Sequence, residues 1–468
     1  MRRREFLATV GVGAGALAAT TAALAKDQPN VLFIAIDDLN DWVGCLGGHP
    51  DTRTPNIDRL VARGVNFTRA YCAAPVCNPS RASLMTGIRP STHGVYENRQ
   101  PMRMSTVLKD AVTLPQHFMA HGYKAIGGGK IYHGAFPDPP SWNEYYPSQT
   151  QNQPGNPKPP SKPYKGIQGN FDWGPLDSAD SEMGDYKTVD WATRQLKAKH
   201  GKPLFLGVGI YKPHLEWYVP KKYFDMFPPD KITLPVVKEN DLDDVPKVGK
   251  WLALRSGDHK KILDQGKYRE AVQAYLACIA FADAQVGRLL DALDNSAYAK
   301  NTVVVLWSDH GWHHGQKAHW RKFALWEQAT RNVFAIVAPG VTKPKSTCGR
   351  PVSLLDVYPT LIDICGLSKR MSLEGNSLMP LLKNPAAKWD KPVLTTYLKG
   401  NHSIRDERFR YIRYNDGGEE LYDHSNDPNE WTNLADRQEF ANIKSRLAKW
   451  LPKTDAPDSP VGKGLGVD

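Results

Sequence analysis

Val31-Leu32-Phe33-Ile34-Ala35-Ile36 runs straight into Asp37-Asp38. An apolar run this short, rich in branched and aromatic side chains, predicts a strand buried on both faces. Three other stretches share the design. Leu204–Ile210 leads into Lys212-Pro213-His214, and residues 303–307 lead into Ser308-Asp309-His310-Gly311. Lys124-Ala125-Ile126 enters a glycine run and then reaches Lys130. Between these strands lie helical patterns. Val272, Tyr275, Leu276, Ile279, Val286, Leu289, Leu290 and Leu293 share one face of a long helix, while Val189, Ala192 and Leu196 mark another. Alternating strands and helices imply an α/β sandwich around a largely parallel sheet. Ligands bind such sheets beyond the carboxyl ends of the strands, where all four polar clusters fall.

Two segments stand outside this alternation. Residues 137–175 are rich in Pro, Gly, Asn and Gln without periodicity. They read as a Pro-rich surface excursion at the pocket mouth, or else as a linker. From about residue 391 the texture changes to short strand-like pieces such as Phe409-Arg410-Tyr411-Ile412-Arg413-Tyr414, followed by an amphipathic helix over about 437–450. A small antiparallel sheet with a terminal helix is expected there. The division is therefore a main domain over 26–390 and a small α+β subdomain over 391–468.

At 468 residues, 41% apolar and 23% charged, the chain has the size and composition of a soluble globular protein with a large core. Its formal charge is +11, of which Arg2, Arg3 and Arg4 against Glu5 supply +2, leaving about +9. That excess favours an anionic partner. The absence of a Lys/Arg run argues against nucleic acid. Arg3-Arg4-Glu5-Phe6-Leu7, a mild apolar stretch and Ala23-Leu24-Ala25 make residues 1–25 resemble a twin-arginine signal, which engages the machinery that exports folded proteins. Cleavage near Ala25 would leave a periplasmic or secreted protein. No stable membrane anchor is expected, since that stretch is only weakly hydrophobic and no other long apolar run exists. Six cysteines are too sparse for a disulfide scaffold in a chain of this size.

The sharpest chemical signal is Cys77-Asn78-Pro79-Ser80-Arg81, continuing through Leu84-Met85-Thr86 to Gly87. Pro79 suits a first helical turn and Gly87 a helix end, which sets Cys77 at a helix N-terminus. There the thiol either packs or acts as a thiolate. Asp37-Asp38 suits a metal site or a helix cap. His310, His313, His314 and His319 suggest zinc only weakly, because their spacing matches no common zinc motif.

Together these stretches resemble the formylglycine-dependent sulfatases of the alkaline phosphatase-like superfamily, and most closely their iduronate-2-sulfatase-like branch. The likeness rests on Cys77 to Gly87, Asp37-Asp38, Ser308 to Trp312, Gly129-Lys130-Ile131-Tyr132-His133, Lys212-Pro213-His214 and Lys322. Glu420 to His424 and Asp427 to Trp431 extend it. The resemblance implies a mixed, mostly parallel sheet and a small C-terminal antiparallel sheet. It implies that a maturation enzyme converts Cys77 to formylglycine and that the substrate is a sulfate ester of a saccharide, such as a 2-O-sulfated uronate. It implies one cation held by Asp37, Asp38, Asp309, His310 and the oxidised Cys77. Three carboxylates favour calcium over magnesium, although His310 departs from an all-oxygen shell. Further implied roles are Lys322 on sulfate oxygens, Arg81 and Lys130 on the hydrated aldehyde, and Asp309 as acceptor of its proton. His214 would protonate the leaving alcohol and His133 would trigger sulfate release. Two rivals remain: a phosphonate monoester or phosphodiester hydrolase built on the same parts, and an inactive protein that binds sulfated glycans.

Overall fold

The computed structural model describes residues 28–159 and 171–462. The N-terminal signal expected over 1–25 lies outside the described residues. The strand read from the first apolar run is β1 (Asn30–Ile36) at the centre of an eight-stranded sheet. Its fellows are β2 (Val65–Phe67), β3 (Lys124–Gly129), β4 (Glu144–Tyr146), β5 (Leu204–Ile210), β6 (Thr302–Ser308), β7 (Phe334–Val337) and β8 (Ser346–Cys348). The order is β8-β2-β7-β6-β1-β5-β3-β4. From β6 to β4 every pairing is parallel, whereas β7 is antiparallel to both β6 and β2. The sheet is thus mixed and mostly parallel, as expected.

Both faces of β1 are covered, and its residues alternate between two cores. Leu32, Ile34 and Ile36 pack on one side with α2 (Gly184–Lys197) and α3 (Tyr268–Asp294). Val31, Phe33 and Ala35 pack on the other with α1 (Cys77–Thr86) and the helix Val357–Ile364. Full burial of one such side chain stabilises the fold by roughly 1.5–3 kcal/mol, which is why the run carries no polar residue.

Register is what positions the site. Ile36 pairs with both Ile210 and Ser308, so β1, β5 and β6 end level. Asp37, Tyr211 and Asp309 therefore leave the sheet side by side. β3 joins them through glycines. At Gly129, φ is 77° and an added Cβ would lie 1.8 Å from the Gly209 carbonyl oxygen, so no side chain fits there. The run that follows Ile126 is accordingly strand rather than loop.

Of the 137–175 stretch, expected as a surface excursion, the described residues 137–159 and 171–175 include two pieces that pair with strands of the fold. Glu144–Tyr146 is an edge strand parallel to β3, with Trp142 and Tyr145 buried. Trp173–Leu176 pairs with Trp217–Pro220. Its middle does reach the site, because Asn152 Nδ2 donates to the His133 carbonyl at 3.1 Å. The C-terminal region forms the expected antiparallel sheet of β9 (Val393–Thr396), β10 (His402–Arg405), β11 (Phe409–Arg413) and β12 (Glu419–Asp423). Its helix, α4 (Ala441–Ala448), is shorter than the span read from the sequence. All six cysteines are free thiols. Among the described residues no helix is long and apolar enough to cross a membrane.

Candidate active site

Cys77 opens α1, and every residue of that helix is buried. The helix ends where Gly87 takes φ 72° and its N–H donates to the Ser83 carbonyl. Asn98 Oδ1 accepts from the Asn78 N–H at 3.0 Å, and Ser80 Oγ donates to the Asp309 carbonyl at 2.6 Å. The helix that begins at Cys77 is thereby fixed to the end of β6.

Around the Cys77 sulfur stand Lys322 Nζ at 2.9 Å, His310 Nε2 at 3.3 Å and Asp38 Oδ1 at 3.9 Å. Burial pushes the thiol pKa up, although Lys130 and Lys322 pull the other way. Arg81 spans two carboxylates: its Nη2 donates to Asp37 Oδ1 and its Nε to Asp309 Oδ2, both at 2.9 Å. Lys130 Nζ donates to Asp37 Oδ2 and lies 4.7 Å from the Tyr211 ring centre. Lys322 Nζ donates to Asp38 Oδ1 at 2.8 Å. Three buried carboxylates thus face three buried cations. Burial works against the charge on Asp37, but Lys130 and Arg81 overcome it and hold the carboxyl well below its usual range. At Asp309 burial prevails over Arg81 and His310, and the pKa is raised.

The donor set fits a divalent cation. Asp37, Asp38, Cys77, Asp309 and His310 bring their ligand atoms within 4.8 Å of one another. Asp38 Oδ2 is buried without a hydrogen-bond partner, a costly state for a carboxylate oxygen unless a ligand meets it. His310 Nδ1 lies 3.0 Å from the Gly311 carbonyl, an acceptor only, so Nδ1 carries the proton and Nε2 turns its lone pair inward. None of His313, His314 and His319 belongs to a metal-like group among the described residues. His314 instead stacks on Trp42, with ring centres 4.0 Å apart.

His214 sits at the rim, its Nε2 3.9 Å from Asp38 Oδ2. Its Nδ1 donates to the Leu215 carbonyl at 2.6 Å. Burial, aided by Lys130, pushes its pKa down to about 4. His133 is buried on the loop that leaves β3 through Lys130. Tyr275 was legible in the sequence only as part of an apolar helix face. Its hydroxyl donates to the Asp38 carbonyl at 2.7 Å and accepts from the Asn40 N–H at 3.0 Å. This bracing holds the turn in which Asp38 takes φ 57°. No sequence pattern separates such a tyrosine from its apolar neighbours.

The sulfatase family model matches residues 29–367, and that of N-sulphoglucosamine sulphohydrolase, C-terminal, matches 311–456. The chain belongs to the sulfatase family. It is a sulfuric ester hydrolase. A sulfatase of Formosa agariphila is 39% identical over 449 residues, covering 92% of this chain and 87% of that relative. Iduronate 2-sulfatase of Mus musculus is 30% identical, covering 73% of this chain and 70% of that enzyme. Among solved structures, phosphonate monoester hydrolase of Agrobacterium radiobacter superposes with a TM-score of 0.75 at 23% identity, over 90% of this chain and 94% of that one. At that identity the likeness concerns the fold alone.

Proposed function

We propose that this sulfatase removes sulfate from a saccharide, specifically a 2-O-sulfated uronate, after Cys77 has been oxidised to formylglycine. One observation carries the reading. The Cys77 sulfur occupies the point where Lys322, His310 and Asp38 converge, beside an unpartnered carboxylate oxygen. The likeness to iduronate 2-sulfatase supports the choice of sugar. The likeness in fold to a phosphonate hydrolase does not discriminate, because one fold serves several chemistries.

Asp37, Asp38, Asp309 and His310 would hold one calcium ion, which supplies charge neutralisation for the sulfate oxygens. The hydrated aldehyde supplies one hydroxyl to attack sulfur and a second through which sulfate is later expelled. Lys322 binds sulfate oxygens, and Arg81 and Lys130 keep the hydrate in place. Asp309 accepts the proton of the attacking hydroxyl. His214 Nε2 delivers a proton to the leaving alcohol oxygen, a step that needs its imidazolium form. The anionic substrate favours that form against the burial that depresses it. His133 removes the proton of the second hydroxyl. Export through a twin-arginine signal over 1–25, maturation by a formylglycine-generating enzyme, and division into 26–390 and 391–468 complete the proposal.

The test is to express the chain with a maturation enzyme and assay 2-O-sulfated uronate disaccharides, other sulfated sugars, an aryl sulfate and the matching phosphonate ester. Mass spectrometry should find an aldehyde at position 77. Full activity with intact Cys77 overturns the mechanism. Faster turnover of the aryl sulfate than of every saccharide overturns the sugar assignment, and faster turnover of the phosphonate overturns both.

A further inference from the structure

Beside Lys322 lies a second, unclaimed cation. Arg255 caps the helix Lys247–Leu254 and is exposed to solvent. Among the described residues no carboxylate lies within ion-pair distance of it. It is held instead by aromatic rings, with Cζ 5.1 Å from the ring centre of Trp251, 5.4 Å from Phe323 and 5.4 Å from Tyr397. One of its five N–H donors goes to the Tyr397 hydroxyl. A guanidinium fixed by ring faces keeps its charge uncompensated and donors available for an anion.

Three features tie this platform to the site. Phe323 follows Lys322 directly, and Lys322 Nζ lies 5.7 Å from its ring centre, so one ring is flanked by both cations. Phe323 takes φ 72°, a strained value for a side chain of its size, and its N–H donates to the Pro75 carbonyl two residues before Cys77. Trp251, 52% exposed, gives the patch a broad apolar face open to solvent. An exposed aromatic ring beside an unpaired arginine suits a sugar ring that carries a negative charge.

We infer that Arg255, Trp251 and Phe323 form a second anionic subsite, which holds a carboxylate or further sulfate of the saccharide while Lys322 holds the sulfate being cleaved. This rests on the saccharide reading above. Arg255→Gln is assayed in matured enzyme on three substrates. These are a 2-O-sulfated uronate disaccharide, its carboxyl-reduced form, and that reduced form bearing a second sulfate. On the uronate, KM should rise about 10- to 100-fold with kcat changed less than about threefold, as for loss of a charge-assisted hydrogen bond. On the reduced sugar the variant and wild type should converge. A KM effect restored by the second sulfate identifies sulfate as the preferred anion; one confined to the uronate identifies carboxylate. Trp251→Ala should raise KM severalfold on all three sugars, and it keeps the test decisive should Arg255→Gln fold poorly. An equal fall of kcat/KM on all three sugars and on an aryl sulfate means that Arg255 is only structural and overturns the subsite. Saccharide turnover indifferent to both variants overturns it alone. Wild-type enzyme inactive on every saccharide overturns it together with the substrate reading.

Discussion

Among the described residues two clusters combine acidic side chains with histidine, one fully buried and one partly so, and only the first is open. In the first, Asp37, Asp38, Asp309 and His310 surround Cys77, and Asp38 Oδ2 accepts no hydrogen bond. In the second, Glu327, His424 and Glu430 meet beside the C-terminal antiparallel sheet, where Arg410 of β11 reaches both glutamates. There every carboxylate oxygen is satisfied. Glu327 accepts from the Tyr71 hydroxyl at 3.0 Å and from Arg410, and Glu430 accepts from Arg410 Nε at 2.5 Å, His424 at 2.8 Å and the Glu327 N–H at 2.9 Å. Arg410 thus occupies the place a cation would take. Equal proximity of ligand atoms therefore has opposite meanings, decided by whether the lone pairs are already used.

The largest expected effect tests the open cluster. Asp38→Asn should lower kcat/KM on any sulfate ester by about 10³-fold and strip the bound cation, read by elemental analysis. Glu430→Gln should leave cation content unchanged. A cation retained by the first variant, or lost by the second, breaks the distinction. The closed cluster is tested by Arg410→Met, which leaves buried Glu430 without its main counter-charge and half-buried Glu327 without one of its ion-pair partners. Its expected cost is about 3–5 kcal/mol of stability, measured by urea denaturation, with cation content intact. Undiminished stability there would show that Arg410 is replaceable, and the cluster would then resemble the first.

The open cluster was far more legible in the sequence than the closed one, for a physical reason. Asp37, Asp309 and Lys130 each follow a strand, and the apolar runs of β1, β5 and β6 announce those strands. Strand ends that lie level in a parallel sheet bring such residues together. β3 was only half legible, because glycines weaken a strand pattern and their need for close approach to Gly209 is visible only in the fold. β4 was hidden inside a proline-rich stretch, and Tyr275 inside an apolar helix face. Lys322 was reached through family resemblance, since it follows no strand of the main sheet. The closed cluster joins residues about a hundred positions apart through side-chain contacts that no periodicity records.

A smaller effect concerns the rim of the open cluster. With burial holding its pKa near 4, His214 is costly to protonate and yet is the group assigned to the leaving oxygen. A sugar alkoxide needs that proton far more than a phenolate does. His214→Ala should therefore slow saccharide turnover about 10²-fold more than aryl sulfate turnover, measured as kcat/KM on the matured enzyme. Equal losses on the two substrates would remove His214 from proton transfer and leave it a wall of the pocket.

The smallest effect separates both charged clusters from the histidines buried without charge. Lys130 and Arg81 hold Asp37 below the usual range against burial, and His424, Arg405 and Arg410 do the same for Glu327. These two carboxylates should stay ionised at pH 5. His93 behaves differently. It lies under α1, where its Nδ1 accepts from the Val95 N–H at 2.9 Å and its Nε2 faces Ser83 Oγ at 3.0 Å. A second ring proton would oppose the Val95 N–H, and burial pushes the pKa down to about 3 from 6.5. Above pH 6.5 folded and unfolded states are both neutral at this residue, and it adds no pH dependence. Below that value the unfolded chain takes up a proton that the fold refuses, so stability falls as pH drops towards 3. At pH 5 the loss at this one site amounts to about 2 kcal/mol. Urea midpoints for the wild type and His93→Gln at pH 7, 6 and 5 measure it. The variant starts lower but should lose less on acidification, because one titrating group has been removed. Parallel curves would mean that His93 is protonated in the folded protein, and its ring would then need a counter-charge beneath α1.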